Sequence, residues 1–225
     1  MASAASFIGA VRVRAAHKRS TLFRRHIEAL PRPLRIIDLG GSAAMWKRWG
    51  VTEADGVQVV LANNHRRDTT HRKEALPGRF MDTWSVDVLE LTAETFVSYD
   101  LVFSNSMLEH LPTQDAQARL AAAIMASGKP YFIQVPNKHC IVDPHFPHPL
   151  AAFFAMWPRR LQVWAHHRHA LGSSGRAATM SASRKAIESY HPLARGDLQA
   201  LFPSARVVTE WNLGLPMSLV AIGLA

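Results

Sequence analysis

The sequence has little of what secreted and membrane-spanning proteins need. Its one cysteine, Cys140, cannot form an internal disulfide or build a zinc site that uses several cysteine ligands. It contains no run of about 18 uncharged apolar residues, the length that crosses a bilayer. These absences predict a protein that is soluble or at most peripheral, in the reducing cytoplasm. The Arg- and Ser-rich N-terminus lacks the order of a secretory signal, although it also fits an organellar transit peptide.

Acidic residues are scarce at the N-terminus. The net charge of the chain is +9, and residues 1–35 carry eight arginine and lysine residues against Glu28 alone. The rest of the chain is therefore close to neutral. A basic arm of this kind can steer an anionic substrate, touch an acidic membrane or contact nucleic-acid phosphates. The alternative is a solvated helix face packed beside the core.

Seven short apolar runs alternate with helical patterns, which is typical of a parallel sheet covered on both faces. The runs are Leu34–Asp38, Val57–Leu61, Phe80–Val86, Asp100–Phe103, Tyr131–Val135, Arg206–Thr209 and Ser218–Ile222. The clearest helical patterns are Ala43–Trp49, Ala116–Ser127 and Arg195–Phe202. With 225 residues, the chain has room for one α/β domain and an elaboration.

The alternation stops between residues 137 and 187, a segment that is rich in histidine and aromatic residues. It is interpreted as a lid or insertion over one edge of the sheet. Its apolar stretch, which includes Phe153, Phe154, Trp157 and Trp164, fits a lid helix packed on the core. It also fits an acceptor pocket for an aromatic or lipid-linked substrate, or a shallow membrane contact. The expected organisation is a basic helical arm over 1–33 and a main domain over 34–225 that carries this lid.

Polar residues follow three of the predicted strands. Asp38 ends the first strand and precedes Gly40 and Gly41, Asp87 stands at the end of the third strand and Asn105 just past the end of the fourth. Ligands of open α/β sheets bind at the carboxyl ends of the strands, and a glycine turn there lets the backbone approach a ligand closely. These side chains therefore predict a nucleoside-cofactor site at one edge of the sheet.

The motifs that carry these residues resemble a known family. IIDLGG at Ile36–Gly41, VDV at Val86–Val88 and YDLVFSNSMLEHL at Tyr99–Leu111 resemble successive motifs of the class I S-adenosylmethionine-dependent methyltransferases, in their small-molecule, type 11-like branch. The tail from Phe202 to Gly223 is similar to the closing hairpin of that family. The resemblance implies a three-layer α/β sandwich with a Rossmann-like, seven-stranded, mostly parallel sheet and an antiparallel closing hairpin. It also implies methyl transfer from S-adenosylmethionine to an oxygen or nitrogen of a small molecule, such as a sugar, natural-product or lipid-linked acceptor.

The resemblance also implies roles for individual residues. Asp38 orders the glycine turn and reaches the amino acid part of the cofactor, while Gly40 and Gly41 let the chain pass beneath it. The remaining expected cofactor residues are Asp87 and Val88 at the adenine, and Ser104 and Asn105 beside the methionine moiety. Where the family usually has an acid for the ribose hydroxyls, this chain has Asn63, which can accept one hydrogen bond and donate another.

Two histidines are candidates for a general base on the acceptor. His110 follows strand four, where the reacting methyl should lie, and His145 lies between closely spaced prolines. Each also fits a structural role, His110 as a residue bonded to backbone and His145 as part of a shaped loop. The histidines of the lid segment lack the spacing of a metal site, so no metal is predicted.

Two other functions fit parts of the sequence. A nicotinamide dehydrogenase is disfavoured because the turn from Gly40 to Met45 does not read G-x-G-x-x-G. An RNA-binding protein or RNA methyltransferase would use the basic arm, yet the body of the chain lacks a basic stripe. The expected partners are a small-molecule acceptor and an anionic substrate or membrane at the arm, with nucleic acid as the disfavoured alternative.

Overall fold

The computed structural model describes residues 2–64, 80–141, 146, 152–169, 171 and 177–224, with residues 2–12 described by their backbone. Its centre is one seven-stranded sheet in the order β3-β2-β1-β4-β5-β7-β6. Strands β1 to β5 are parallel, and β7 runs antiparallel to both of its neighbours. The strands are β1 Leu34–Leu39, β2 Val57–Asn63, β3 Met81–Ser85, β4 Leu101–Asn105, β5 Tyr131–Pro136, β6 Arg206–Asn212 and β7 Leu215–Gly223. The predicted α/β class, seven strands and antiparallel closing hairpin are confirmed.

The described part of the chain contains seven α-helices. They are α1 Ala2–Ile27, α2 Ala43–Arg48, α3 Ala93–Val97, α4 Gln114–Ala126, α5 Arg159–Arg168, α6 Met180–Glu188 and α7 Arg195–Leu201. Apolar residues of α3, α4 and α7 pack on one face of the sheet, and those of α1 and α2 pack on the other. The central strands are buried on both faces, which explains why the sequence shows apolar runs there instead of a polar and apolar alternation.

Helix α1 is anchored to the sheet by an aromatic cluster. Phe23 is fully buried, and its ring lies 5.1 Å from Phe103, 5.5 Å from Trp46 and 5.5 Å from Phe132 between ring centroids. Rings at these separations add a specific edge-to-face attraction to the gain from burial. The basic segment is thus a helix that contributes to the core, while the division at residue 33 stays a prediction.

Several arginines of this segment form hydrogen bonds within the fold. Arg24 pairs with Asp55 at 3.0 Å and also donates to the carbonyl oxygens of Trp49 and Gly50. Arg32 donates to the backbone carbonyl groups of Ile27, Leu30 and Asp55. Part of the N-terminal charge therefore satisfies backbone acceptors around the first strands.

The described part of the segment predicted to be a lid, together with the residues that directly follow it, contains a small core of its own. Phe146, Phe154, Ile187 and Tyr190 are buried together beneath α5 and α6. Arg159 supports this core by donating to the carbonyl oxygens of Ile187 and Tyr190. Among the described residues, no helix has both the length and the apolar character needed to cross a membrane.

Candidate functional site

The turn after β1 wraps around a buried carboxyl group. Gly40 has φ +75°, a left-handed conformation that suits glycine, and a Cβ at Gly41 would overlap the carboxyl group of Asp38. The side chain of Asp38 is fully buried, and its Oδ2 accepts a 2.7 Å hydrogen bond from the indole nitrogen of Trp46 on α2. Its Oδ1 is buried and has no hydrogen-bond partner among the described residues. The turn therefore holds a carboxylate oxygen that a donor from a ligand could satisfy.

Burial is the main cause of the altered pKa of the Asp38 carboxyl group. It raises the pKa of Asp38 to about 7, because a charged carboxylate is poorly solvated there, and the hydrogen bond from Trp46 opposes this rise only in part. Near neutral pH the carboxyl group is thus close to half-ionised. A cationic ligand group beside it would favour the ionised form and lower the pKa of Asp38.

Two neighbouring asparagines link the glycine turn to Asp87. The side-chain amide of Asn63, at the end of β2, donates to the carbonyl oxygen of Gly41 at 2.8 Å. The amide of Asn64 donates to Oδ2 of Asp87 at 3.2 Å. One donor of Asn63 is therefore used inside the fold, and its carbonyl oxygen is the atom that suits a ribose hydroxyl. These contacts bring the ends of β1, β2 and β3 together at one edge of the sheet.

Asp87 begins a short 3₁₀ turn, Val88–Glu90, in which Val88 is buried. Its Oδ1 accepts from the backbone N–H of Leu89 at 3.0 Å, which fixes the carboxylate at the start of the turn. Each carboxylate oxygen has two acceptor positions, so this cap and the bond from Asn64 still leave capacity for a ligand donor.

Ser104 and Asn105, which are adjacent at the end of β4, face different surroundings. The hydroxyl of Ser104 is buried and donates to the carbonyl oxygen of Leu39 at 3.3 Å, so the side chain serves strand pairing. The Oδ1 of Asn105 accepts a 2.8 Å hydrogen bond from Nη1 of Arg19 on α1. Of this expected pair, only Asn105 presents its side chain to the face covered by α1.

Arg19 joins Asn105 to the closing hairpin. Its Nε and Nη2 atoms lie 2.8 Å from Oε2 of Glu210, and Nη2 also donates to the hydroxyl of Ser218 at 2.9 Å. The Ser218 hydroxyl in turn donates to the same carboxylate of Glu210. The side chain of Glu210 is only 8% exposed, and its buried Oε1 has no hydrogen-bond partner among the described residues. The cluster therefore offers a second acceptor atom beside Asn105.

The two candidate bases have different outcomes. His110 is exposed at the end of the 3₁₀ turn Leu108–His110, with its ring 5.7 Å from that of Tyr190 in the lid core. His145 lies outside the described residues. Within the described part of the chain, no group of three histidine, cysteine or acidic side chains could hold a metal ion.

Sequence reasoning missed several residues of the site. Trp46 and Asn64 stand close in sequence to the predicted turn and strand ends, but nothing in their local pattern marks them as partners of carboxylates. Glu210 carried a usable signal, since it is an acid inside the strand sequence RVVTEWN. Arg19 carried none, because its partner Glu210 lies 191 residues away.

Known proteins resemble this chain in structure and not in sequence. No family model and no curated protein matches the sequence. An S-adenosylmethionine-dependent methyltransferase from Mesorhizobium loti is 18% identical over 87% of this chain and 93% of its own, with a TM-score of 0.54. The 1,6-didemethyltoxoflavin N1-methyltransferase of Burkholderia thailandensis, solved with S-adenosylhomocysteine and 1,6-didemethyltoxoflavin, is 15% identical over 99% and 87%, with a TM-score of 0.53. A Rhodobacter sphaeroides structure that bears the name of the Zn-dependent alcohol dehydrogenases is 12% identical over 88% and 87%, with a TM-score of 0.54.

At these sequence identities the structural similarity establishes the fold alone, and the activities of the neighbours are not assigned to this chain. The architecture includes β7 inserted antiparallel between β5 and β6, the closing hairpin that the motifs implied. The chain therefore has the fold of the class I S-adenosylmethionine-dependent methyltransferases.

Proposed function

We propose that this protein transfers the methyl group of S-adenosylmethionine to an oxygen or nitrogen atom of a small molecule. The observation that carries the proposal is the buried carboxyl group of Asp38 beneath the Gly40–Gly41 turn, with one oxygen left without a partner among the described residues. It lies at the edge of the sheet where Asn63 and Asp87 are also tied together.

The residues present fit the chemical groups of this cofactor. The buried Oδ1 of Asp38 suits the ammonium of the methionine moiety, since a cation there would relieve the cost of a buried carboxylate. The carbonyl oxygen of Asn63 suits a ribose hydroxyl, and the carboxylate of Asp87 suits the exocyclic amine of adenine. The fold and the cofactors named for two structural neighbours support the same assignment.

The cofactor supplies an electrophilic methyl group on a positively charged sulfur, so the chain needs to align the acceptor and help remove its proton. Arg19 fixes the amide of Asn105 through a 2.8 Å hydrogen bond, which holds that side chain in one orientation beside the cluster. In this proposal Asn105 borders the methionine moiety, and Glu210 provides an acceptor for a hydroxyl or amine on the substrate. His110, and His145 outside the described residues, remain the candidate bases from the sequence motifs.

The RNA alternative receives no support. Arg19, Arg24 and Arg32 of the basic segment form hydrogen bonds within the protein, so they are not arranged as a surface for phosphates. The aligned methyltransferase whose substrate is named acts on a small molecule, which favours a small-molecule acceptor here. The sugar, natural-product or lipid-linked class of the acceptor and the cytoplasmic location stay predictions.

Isothermal titration calorimetry of the full chain with S-adenosylhomocysteine tests the proposal. We expect binding, and we expect Asp38→Ala to weaken it by about 1 to 3 kcal/mol because the ligand ammonium loses its partner. Asp82→Ala is the matched control, since it removes an exposed carboxylate from the neighbouring strand β3. Binding of a nicotinamide cofactor in place of S-adenosylhomocysteine, or equal affinity in both variants, would contradict the assignment.

A further inference from the structure

The lid has an unusual charge composition. No aspartate or glutamate occurs between Asp143 and Glu188, although the chain contains 17 acidic residues. The same segment carries six cationic side chains, namely Arg159, Arg160, Arg168, Arg176, Arg184 and Lys185. The segment itself therefore contributes cationic side chains and no carboxylates, a composition that attracts anions.

Helix α5 places some of these cationic side chains on one exposed face. The helix buries Gln162, Ala165 and His166 against the lid core, and His166 lies 3.2 Å from the hydroxyl of Ser183 on α6. The opposite side exposes four residues: Arg160, Leu161, Trp164 and Arg168. At 3.6 residues per turn these four positions fall within an arc of about 100°. The exposed face of α5 thus combines two large apolar side chains with two guanidinium groups.

The apolar residues of this face are well exposed. Trp164 is 52% exposed and Leu161 is 43% exposed. Immediately before the helix, Phe153 and Met156 are also exposed, so the chain presents four large apolar side chains within twelve residues. Leu161 and Trp164 are three positions apart on one helix and therefore adjacent, and adjacent exposed apolar side chains are typical of a contact surface.

The chemistry of the surface identifies its occupant. Tryptophan is suited to the headgroup level of a bilayer, because its ring is apolar and its N–H is polar. Arginines beside it can pair with lipid phosphates while their aliphatic stems lie along the apolar surface. A protein partner would need matching acidic and apolar groups at fixed positions, whereas an anionic membrane supplies both over any area. Charge complementarity therefore favours a lipid surface.

We propose that the exposed face of α5 docks on the surface of an anionic membrane. Trp164 and Leu161 lie at the headgroup level, and Arg160 and Arg168 contact lipid phosphates. The helix has ten residues, so the contact is interfacial and reversible. This proposal does not depend on methyl transfer.

Vesicle co-sedimentation of the full chain tests it, with vesicles of equal parts phosphatidylglycerol and phosphatidylcholine compared with vesicles of phosphatidylcholine alone. We expect binding to the anionic vesicles that falls as the salt concentration rises. Replacing both arginines, as Arg160→Gln with Arg168→Gln, should lower the partition coefficient about 25-fold, since one such charge contributes about a factor of five. Trp164→Ser should also weaken binding. The matched control is Trp211→Ser, because Trp211 is a tryptophan of similar exposure, 54%, on strand β6.

Every other outcome overturns the proposal. Equal binding to both kinds of vesicle, or to neither, would refute the electrostatic contact. Loss of binding in Arg12→Gln with Arg14→Gln, but not in the α5 variants, would move the contact to the N-terminal segment. Analytical ultracentrifugation that shows a dimer dissociated by Trp164→Ser would assign this face to a second copy of the chain.

Discussion

Replacing Asp38 with asparagine should stabilise the protein at alkaline pH and weaken its cofactor binding. Burial raises the pKa of this carboxyl group from an ordinary value of 3.8 to about 7. A shift of about three units corresponds to about 4 kcal/mol between the charged and neutral forms. The native state binds the proton more tightly than the unfolded state, so wild-type stability falls as the pH rises from about 4 to about 7 and is level above that.

Asparagine at position 38 has nearly the same shape as aspartate but does not ionise. Its amide oxygen can accept the hydrogen bond from the indole of Trp46. Its amide hydrogens bring a cost of their own, but that cost is the same at every pH. The difference in the free energy of unfolding between the variant and the wild type should therefore grow by about 2 to 3 kcal/mol between pH 5 and pH 8.

Urea denaturation of both proteins at pH 5 and pH 8, without cofactor, measures this difference. Asp82→Asn is the control, since it removes an exposed carboxylate and should give parallel profiles. Calorimetry with S-adenosylhomocysteine should show that wild-type affinity rises from pH 5 to about pH 7, and that the Asp38→Asn variant loses this rise. Parallel stability profiles for Asp38→Asn and wild type would refute the buried, half-ionised carboxyl group.

Three further changes test other parts of the molecule. Asp87→Ala should weaken S-adenosylhomocysteine binding by about 1 to 3 kcal/mol in calorimetry, because the adenine amine loses its acceptor, and unchanged affinity would move the adenine elsewhere. Phe23→Ala should lower the free energy of unfolding by about 3 to 5 kcal/mol in urea denaturation, since it empties the centre of an aromatic cluster, and a near-zero effect would show that α1 unfolds separately. His110→Ala, assayed with an identified acceptor, should lower turnover by at least about 100-fold, whereas a loss of cofactor binding would make His110 part of the pocket wall.

The strands were predictable because their chemistry is local. Leu34–Leu39 and Tyr131–Pro136 are buried on both faces, and this burial produces an apolar run that can be read without knowing its neighbours. The edge that holds Asp38 and Asp87 was predictable for a related reason, since parallel strands end on the same side of a sheet.

The contacts that complete the site depend on geometry that a sequence pattern does not carry. Ser104 and Asn105 are adjacent, yet their side chains point to opposite faces of β4, and the motif alone does not say which one meets a ligand. The role of the basic N-terminal segment was equally hidden. Its arginines look like a uniform positive charge in sequence, while Arg19 forms specific bonds to residues 86, 191 and 199 positions away.

The Arg19 cluster also bears on the order in which the molecule is made. Glu210 and Ser218 follow Arg19 by 191 and 199 residues, so Arg19 leaves the ribosome well before either of them. Because a chain grows at roughly 5 to 20 residues per second, Glu210 is synthesised about ten seconds or more after Arg19. During that interval Phe23 and the rest of α1 face a sheet that lacks its final hairpin. The nascent chain therefore holds α1 against an incomplete sheet, and the bonds from Arg19 to Glu210 and Ser218 form only after the closing hairpin has been made.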